Sequence, residues 1–258
     1  MKKHLSALLV AAVAVFGAVS QAAAYFEKGN LIRVVYSSDG TKEVATDLGA
    51  YDSTTLASAT NVTTGDLTSL LSYFSSGTTL SDLYVAYYIS DLKSGSNSDG
   101  TGIYTSGVND AQTNKGTMAA SFTSAGTNIT NYYSTLVGSS SEVVSGTVVA
   151  DSSYALSYYN QMTLAGTAPG TFNQFIKDGS GETQLGSGSA DYVDMYLFYY
   201  SKPTSSGSGT LVATIRTYIT SDGALYTVIN PQAVPIPGAV WLLGSGLLGL
   251  MGVRRKIS

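Results

Sequence analysis

Residues Asn30–Ser37 read NLIRVVYS, residues 38–40 read Ser-Asp-Gly, and residues 42–47 read KEVATD. The first run is β-branched and aromatic, which suits a pleated strand. An Asp-Gly pair supplies the positive backbone angles that a tight hairpin turn requires. The stretch therefore predicts a strand, a turn and a returning strand. The same order recurs near the other end: residues 211–220, then Ser221-Asp222-Gly223, then residues 224–229. Between them, residues 83–90 and 192–202 are rich in Tyr, Val, Ile and Phe and suit central strands. Residues 143–150 suggest another, with Gly146 as a bulge.

Three stretches look helical. Thr64-Gly65-Asp66 followed by LTSLLSYF combines a cap residue with apolar spacing at Leu67, Leu70, Leu71 and Phe74. Residues 128–137 and 152–162 carry weaker signals, because Tyr, Thr and Ser are mediocre helix formers. Gly/Ser-rich segments at 94–102, 138–141, 179–188 and 205–209 read as loops between these elements. Many strand signals with a few helices predict a mainly β fold, an antiparallel β-sandwich carrying short helices, over residues 25–233.

The chain has 258 residues, a length that fits one large domain or two small ones. It is 44% apolar, enough for a core, yet only 12% charged, about half the usual share. Ser and Thr number 36 and 29. With no cysteine there is no disulfide framework, thiol catalysis or thiolate metal site.

The ends differ from the middle. Residues 1–24 join a positive start (Lys2, Lys3, His4) to an apolar run from Leu5 to Val19 and a small-x-small site at Ala22 and Ala24. This order is that of a secretory signal peptide cut after Ala24, implying the Sec translocon and signal peptidase. At the other end, residues 234–253 contain no charge, a run of 20 that approaches the length of a membrane span. Gly238, Trp241, Leu243, Gly246, Leu248 and Val253 lie on it, and Arg254, Arg255 and Lys256 follow at once. A basic cluster after an apolar run marks the cytoplasmic side, so the middle of the chain is expected outside the cytoplasm.

The tail resembles a known sorting signal. Val234-Pro235-Ile236-Pro237, then Trp241-Leu242-Leu243-Gly244-Ser245-Gly246-Leu247, then Arg254-Arg255-Lys256, is similar to the PEP-CTERM domain of Gram-negative bacteria, in its VPLP/VPIP-GAVWLLGSGL variant. Ile236 stands where the namesake motif has Glu. The resemblance covers residues 234–258 and implies recognition and processing by an exosortase, a membrane protease. It further implies transient inner-membrane insertion, then a place on the cell surface or in the extracellular matrix, in bacteria that make exopolysaccharide and biofilm.

Lys2, Lys3, Arg254, Arg255 and Lys256 take five of the 13 basic residues, leaving eight against 17 acidic ones in residues 25–233. A domain near −9 opposes nucleic-acid binding, which asks for a basic face. The only His (His4) and the only Trp (Trp241) also lie in the ends. Without His, the middle cannot build a Ser-His-Asp triad or an imidazole–zinc site. No nucleophile elbow or P-loop is present, and no cofactor or metal is expected. Ser90-Asp91-Leu92-Lys93 matches S-x-x-K without its companion motifs. Asp191 and Asp194, three residues apart, would face opposite sides of a strand and so read as a solvated strand edge rather than a glycosidase pair. Asn97-Ser98-Asp99-Gly100-Thr101 has calcium-ligand chemistry but not the spacing of a calcium loop.

Tyrosine stands out: there are 19, with adjacent pairs at 87/88, 132/133, 158/159 and 199/200. In a strand, neighbouring side chains face opposite sides. Tyr87/Tyr88 and Tyr199/Tyr200 are therefore expected to send one ring into the core and one outward. An outward ring could meet a sugar or another copy. The leading expectation is a non-enzymatic structural or adhesive module. A glycan-binding module using exposed Tyr is the alternative, and a carboxylate hydrolase stands third.

Overall fold

The computed structural model describes residues 26–27, 29–90, 102–114, 118–162, 176–178, 180–187, 191–200, 207–220 and 223–232. The opening hairpin forms as read. β1 (Asn30–Ser37) pairs antiparallel with β2 (Lys42–Ala50), and Gly40 takes a φ of +66° in the turn. A short helix, α1 (Ser53–Ser58), precedes β3 (Val62–Leu67). Then come β4 (Leu83–Ser90), β5 (Ile103–Gly107), the two-residue β6 (Thr113–Asn114) and the long helix α2 (Met118–Leu136). β7 (Glu142–Val144) and β8 (Thr147–Asp151) form a hairpin, followed by α3 (Tyr158–Met162), β9 (Ile176–Asp178) and β10 (Glu182–Gln184). β11 (Tyr192–Tyr200), β12 (Thr210–Ile219) and β13 (Leu225–Ile229) complete the order.

The mainly β, antiparallel expectation is met; the sandwich is not. One 11-stranded sheet runs β3-β13-β12-β11-β5-β4-β1-β2-β8-β7, with β10 added on β4, and it curls into a nearly closed barrel. The reason is visible in β1, where seven of eight residues are buried. Leu31, Arg33 and Val35 face the interior, while Ile32, Val34 and Tyr36 face outward under the helices. A second sheet is not needed to cover the outer apolar face, because α2 and α3 cover it. α2 presents Phe122, Ala125, Ile129 and Tyr133, an i, i+3, i+4 stripe, to Tyr88, Ala86 and Ile103 on the sheet.

Local expectations fared unevenly. The helix expected over residues 64–74 is instead strand β3 and a single 3-10 turn, Leu70–Tyr73. Gly65 adopts φ +71°, a left-handed conformation that favours glycine, and a Cβ there would run into the Leu48 side chain of β2. Gly146 marks the turn between β7 and β8 rather than a bulge within one strand. The helix signal at 128–137 lies within the longer α2, and that at 152–162 shrinks to the five residues of α3. The expected signal peptide and sorting tail lie outside the described residues.

Candidate functional site

Ala22, Ala24 and every residue named from Val234 to Lys256 lie outside the described residues, as does the Asn97–Thr101 loop. Ser90, the first residue of the S-x-x-K match, is buried at the end of β4. Of the two Asn-x-Thr glycosylation sequons, Asn61-Val62-Thr63 has an exposed Asn61 at φ +52°, whereas Asn128 of Asn128-Ile129-Thr130 is on α2 and donates to Gln161 Oε1 at 3.2 Å. Among the described residues no three His, Cys, Asp or Glu side chains form a metal cluster. None of their helices is long and apolar enough to cross a membrane.

The tyrosine pairs do not present outward rings. Tyr87 and Tyr88 do point to opposite faces, but both are fully buried: Tyr87 inside the barrel, Tyr88 beneath α2 and α3. Tyr200 is also buried, its hydroxyl donating to Gln112 at 2.8 Å. Tyr199 is half-buried and packs against Tyr104, with ring centroids 4.9 Å apart. The expectation assumed an uncovered outer face; the helices fill it.

The tyrosines at the surface are others. Tyr192, Tyr218 and Tyr226 sit opposite one another on β11, β12 and β13, on the part of the outer face that the helices leave bare. All three are half-buried. Tyr192 and Tyr218 are 5.5 Å apart and tilted by 53°; Tyr218 and Tyr226 are 4.8 Å apart and stack at 12°. Parallel rings this close stack on one another, and the Tyr218 hydroxyl also accepts from Arg216 Nη1 at 3.5 Å. The Arg216 guanidinium covers Tyr192 at 3.9 Å and binds Asp194 through Nε at 2.6 Å and Nη2 at 2.8 Å. Asp194 is thus a partner of Arg216, not of Asp191. The row became identifiable only once strand register was known, since its members are 26 and 8 residues apart in sequence.

Two polar networks that the sequence reading missed lie deeper. Inside the barrel, Arg33 donates from Nη1 to Thr227 Oγ1 at 2.9 Å, and from Nη2 to Thr46 Oγ1 at 3.1 Å and the Gly65 carbonyl at 2.7 Å. It thereby ties β13 and β3 to β2, across the seam where the sheet order shows no ladder. The Tyr87 hydroxyl meets Thr217 and Thr227 beside it at 2.6 and 2.8 Å. On the helix-covered face, Glu43 accepts from the Tyr133 hydroxyl (2.8 Å), the Tyr158 and Tyr159 amides (3.0 and 3.1 Å) and the Ser152 hydroxyl (3.4 Å). Burial nonetheless dominates and pushes its carboxyl up to about 7. Glu182 accepts from Tyr36 at 2.8 Å and Tyr158 at 2.7 Å. These carboxylates join sheet to helices. A lone charge inside a strand with apolar residues on both faces is the signal that would have found Arg33.

No protein-family model matches the chain, and neither curated proteins nor solved structures yield a match.

Proposed function

We propose that this is an exported protein of a Gram-negative bacterium, delivered by the Sec translocon and signal peptidase. It is then held transiently in the inner membrane by its tail and processed by an exosortase-type protease at residues 234–237. Its barrel serves on the cell surface or in the matrix as a non-enzymatic structural or adhesive component beside exopolysaccharide, in the envelope or biofilm. The observation that carries the reading is the order of proline pair, uncharged run and basic end in residues 234–256. The fold agrees with a structural role in one respect: the unusual tyrosines and internal charges bond to one another rather than converging on an open site.

A glycan-binding role draws support from the half-exposed row of Tyr192, Tyr218 and Tyr226. Its ring faces, however, are engaged by one another and by Arg216, which weakens the stacking that sugar recognition uses. Incubating the secreted protein with exopolysaccharide separates the readings. Self-assembly without retention supports the structural role, and retention that is lost in Tyr218→Ala supports glycan binding. Shortened polymer would indicate a hydrolase. A monomer with no affinity for matrix or for itself would refute the structural role.

A further inference from the structure

Strands alternate in direction across the sheet, so the barrel has two distinguishable ends. β13 finishes at Ile229 beside Val62, the first residue of β3. Leu211, near the start of β12, lies beyond the β12 residue (Ile215) that pairs with Ile229. β1 also begins at this end, at Asn30. The two connections to the expected export signals therefore leave the barrel from the same end.

The C-terminal exit is fixed by one residue. Asn230 has φ +48° and uses its backbone and side chain fully. Its amide donates to the Thr214 carbonyl at 2.7 Å, and its carbonyl accepts from the Asn61 amide at 3.0 Å. Its Oδ1 accepts from the Thr214 amide at 2.8 Å, and its Nδ2 donates to the Leu56 and Ala59 carbonyls at 2.7 and 2.9 Å. It clamps β13 to β12 and to the α1–β3 connection. From Asn230 to Val234 is a reach of at most about 14 Å. Val62 and Leu211, two of the few large apolar side chains exposed among the described residues, at 36% and 46%, stand at this end.

We infer that the barrel end carrying Val62 and Leu211 rests on the phospholipid surface while the tail spans the bilayer, with Asn230 as the positioning residue. The inference rests on the tail reading proposed above. The occupant follows from the length of the tether and from what it leads to: a 20-residue uncharged run begins within that short reach. Charge does not supply the contact. Glu27, Asp47 and Asp52, ionisable groups described at this end, are all acidic, so the released barrel should not bind anionic vesicles.

The chain lacks cysteine, so Val62→Cys, Leu211→Cys and, at the far end of β8, Tyr154→Cys can each carry a single fluorescent label. The membrane-held protein is placed in phosphatidylethanolamine–phosphatidylglycerol vesicles containing spin-labelled headgroups, and Trp241 independently reports tail insertion. The expected result is a blue-shifted Trp241 with quenching at positions 62 and 211 well above that at 154. A blue-shifted Trp241 with equal quenching at all three overturns the inference and leaves the tail reading standing. A water-exposed Trp241 overturns both. Asn230→Ala, its fold checked by circular dichroism, should reduce the difference. A Gly/Ser segment inserted after Gln232 leaves the clamp intact and should abolish it. Persistence of the difference in both would show that neither the clamp nor the tether orients the barrel.

Discussion

The two faces of the sheet hold buried charges of opposite sign and solve the same problem differently. Inside the barrel a cation, Arg33, is satisfied by two threonine hydroxyls and a carbonyl, and its Nε has no partner among the described residues. Under the helices the carboxylates Glu43 and Glu182 are met by tyrosine hydroxyls, a serine hydroxyl and helix amides. Among the described residues the only ion pair is the surface one, Arg216–Asp194. Among the described residues neither Arg33 nor the two carboxyls forms an ion pair, and each serves a junction: Arg33 the seam, Glu43 the helix pair. A buried charge costs several kcal/mol unless its hydrogen-bonding groups find partners. The lesson is that these residues sit at paired ladder positions, while their side chains reach elements that the ladder does not join: Arg33 reaches β3 and β13, and Glu43 reaches α2 and α3.

The largest effect is expected at the seam. Arg33→Ala removes a fully buried side chain, takes the side-chain donor from the Gly65 carbonyl, and leaves the Thr227 and Thr46 hydroxyls with only Tyr87 and Thr147 as partners among the described residues. It should cost about 3–5 kcal/mol, read from the denaturant midpoint. A loss below 1 kcal/mol would show that the barrel closes without Arg33. Gly65→Ala tests the same junction from the other side. The left-handed φ and the clash of the added Cβ with the Leu48 side chain should make it destabilising by about 1–3 kcal/mol.

On the helix-covered face, Glu43→Gln turns an amide NH2 toward the Tyr158 or Tyr159 amide, setting donor against donor. The expected loss is about 1–3 kcal/mol, with the helices exchanging amide hydrogens faster than the barrel. The pH dependence gives a sharper contrast. Glu43 titrates at about 7 when folded, against 4.5 for the free group, and Asp47 at about 6 against 3.8, both chiefly through burial. Between those values the native state holds more protons than the unfolded one, so stability falls as pH rises. Stability should therefore be highest near pH 4 and fall through pH 7 by an amount on the order of 5 kcal/mol, with the melting temperature falling alongside it. Glu43→Gln should flatten the upper part of that slope. A melting temperature rising between pH 4 and pH 7 would contradict this account.

How much of this was legible follows from particular residues. The hairpins were, because Asp-Gly turns between β-branched runs act locally. β4 matched residue for residue. The barrel was not, because an apolar run buried on both faces, such as β1, looks the same whether a second sheet or a pair of helices covers it. The first half of α2, MAASFTSAGT, was missed because Ser, Thr, Phe and Gly dilute its Ala and Met, and its stripe is set by packing. The 64–74 helix was misread because Leu67, Leu70, Leu71 and Phe74 repeat at helical spacing, yet all four serve the barrel core or its rim. The Tyr192–Tyr218–Tyr226 row depends on register alone.

The smallest effects belong to that surface row. Tyr218→Ala breaks two ring contacts and should cost about 1 kcal/mol. Asp194→Asn weakens an exposed pair and should cost at most about 1 kcal/mol, less in high salt. Larger losses would place the row among the structural networks.

The central claim, that residues 234–258 are a sorting tail rather than part of the working protein, is tested most directly by intact mass of the protein from membranes and from the culture medium. The account predicts a released form beginning at about Tyr25 and ending near Pro237, without Trp241 and hence without tryptophan fluorescence. A protein found only in membranes and still carrying Trp241 and the Arg254-Arg255-Lys256 end would contradict it, and would make the tail a permanent anchor.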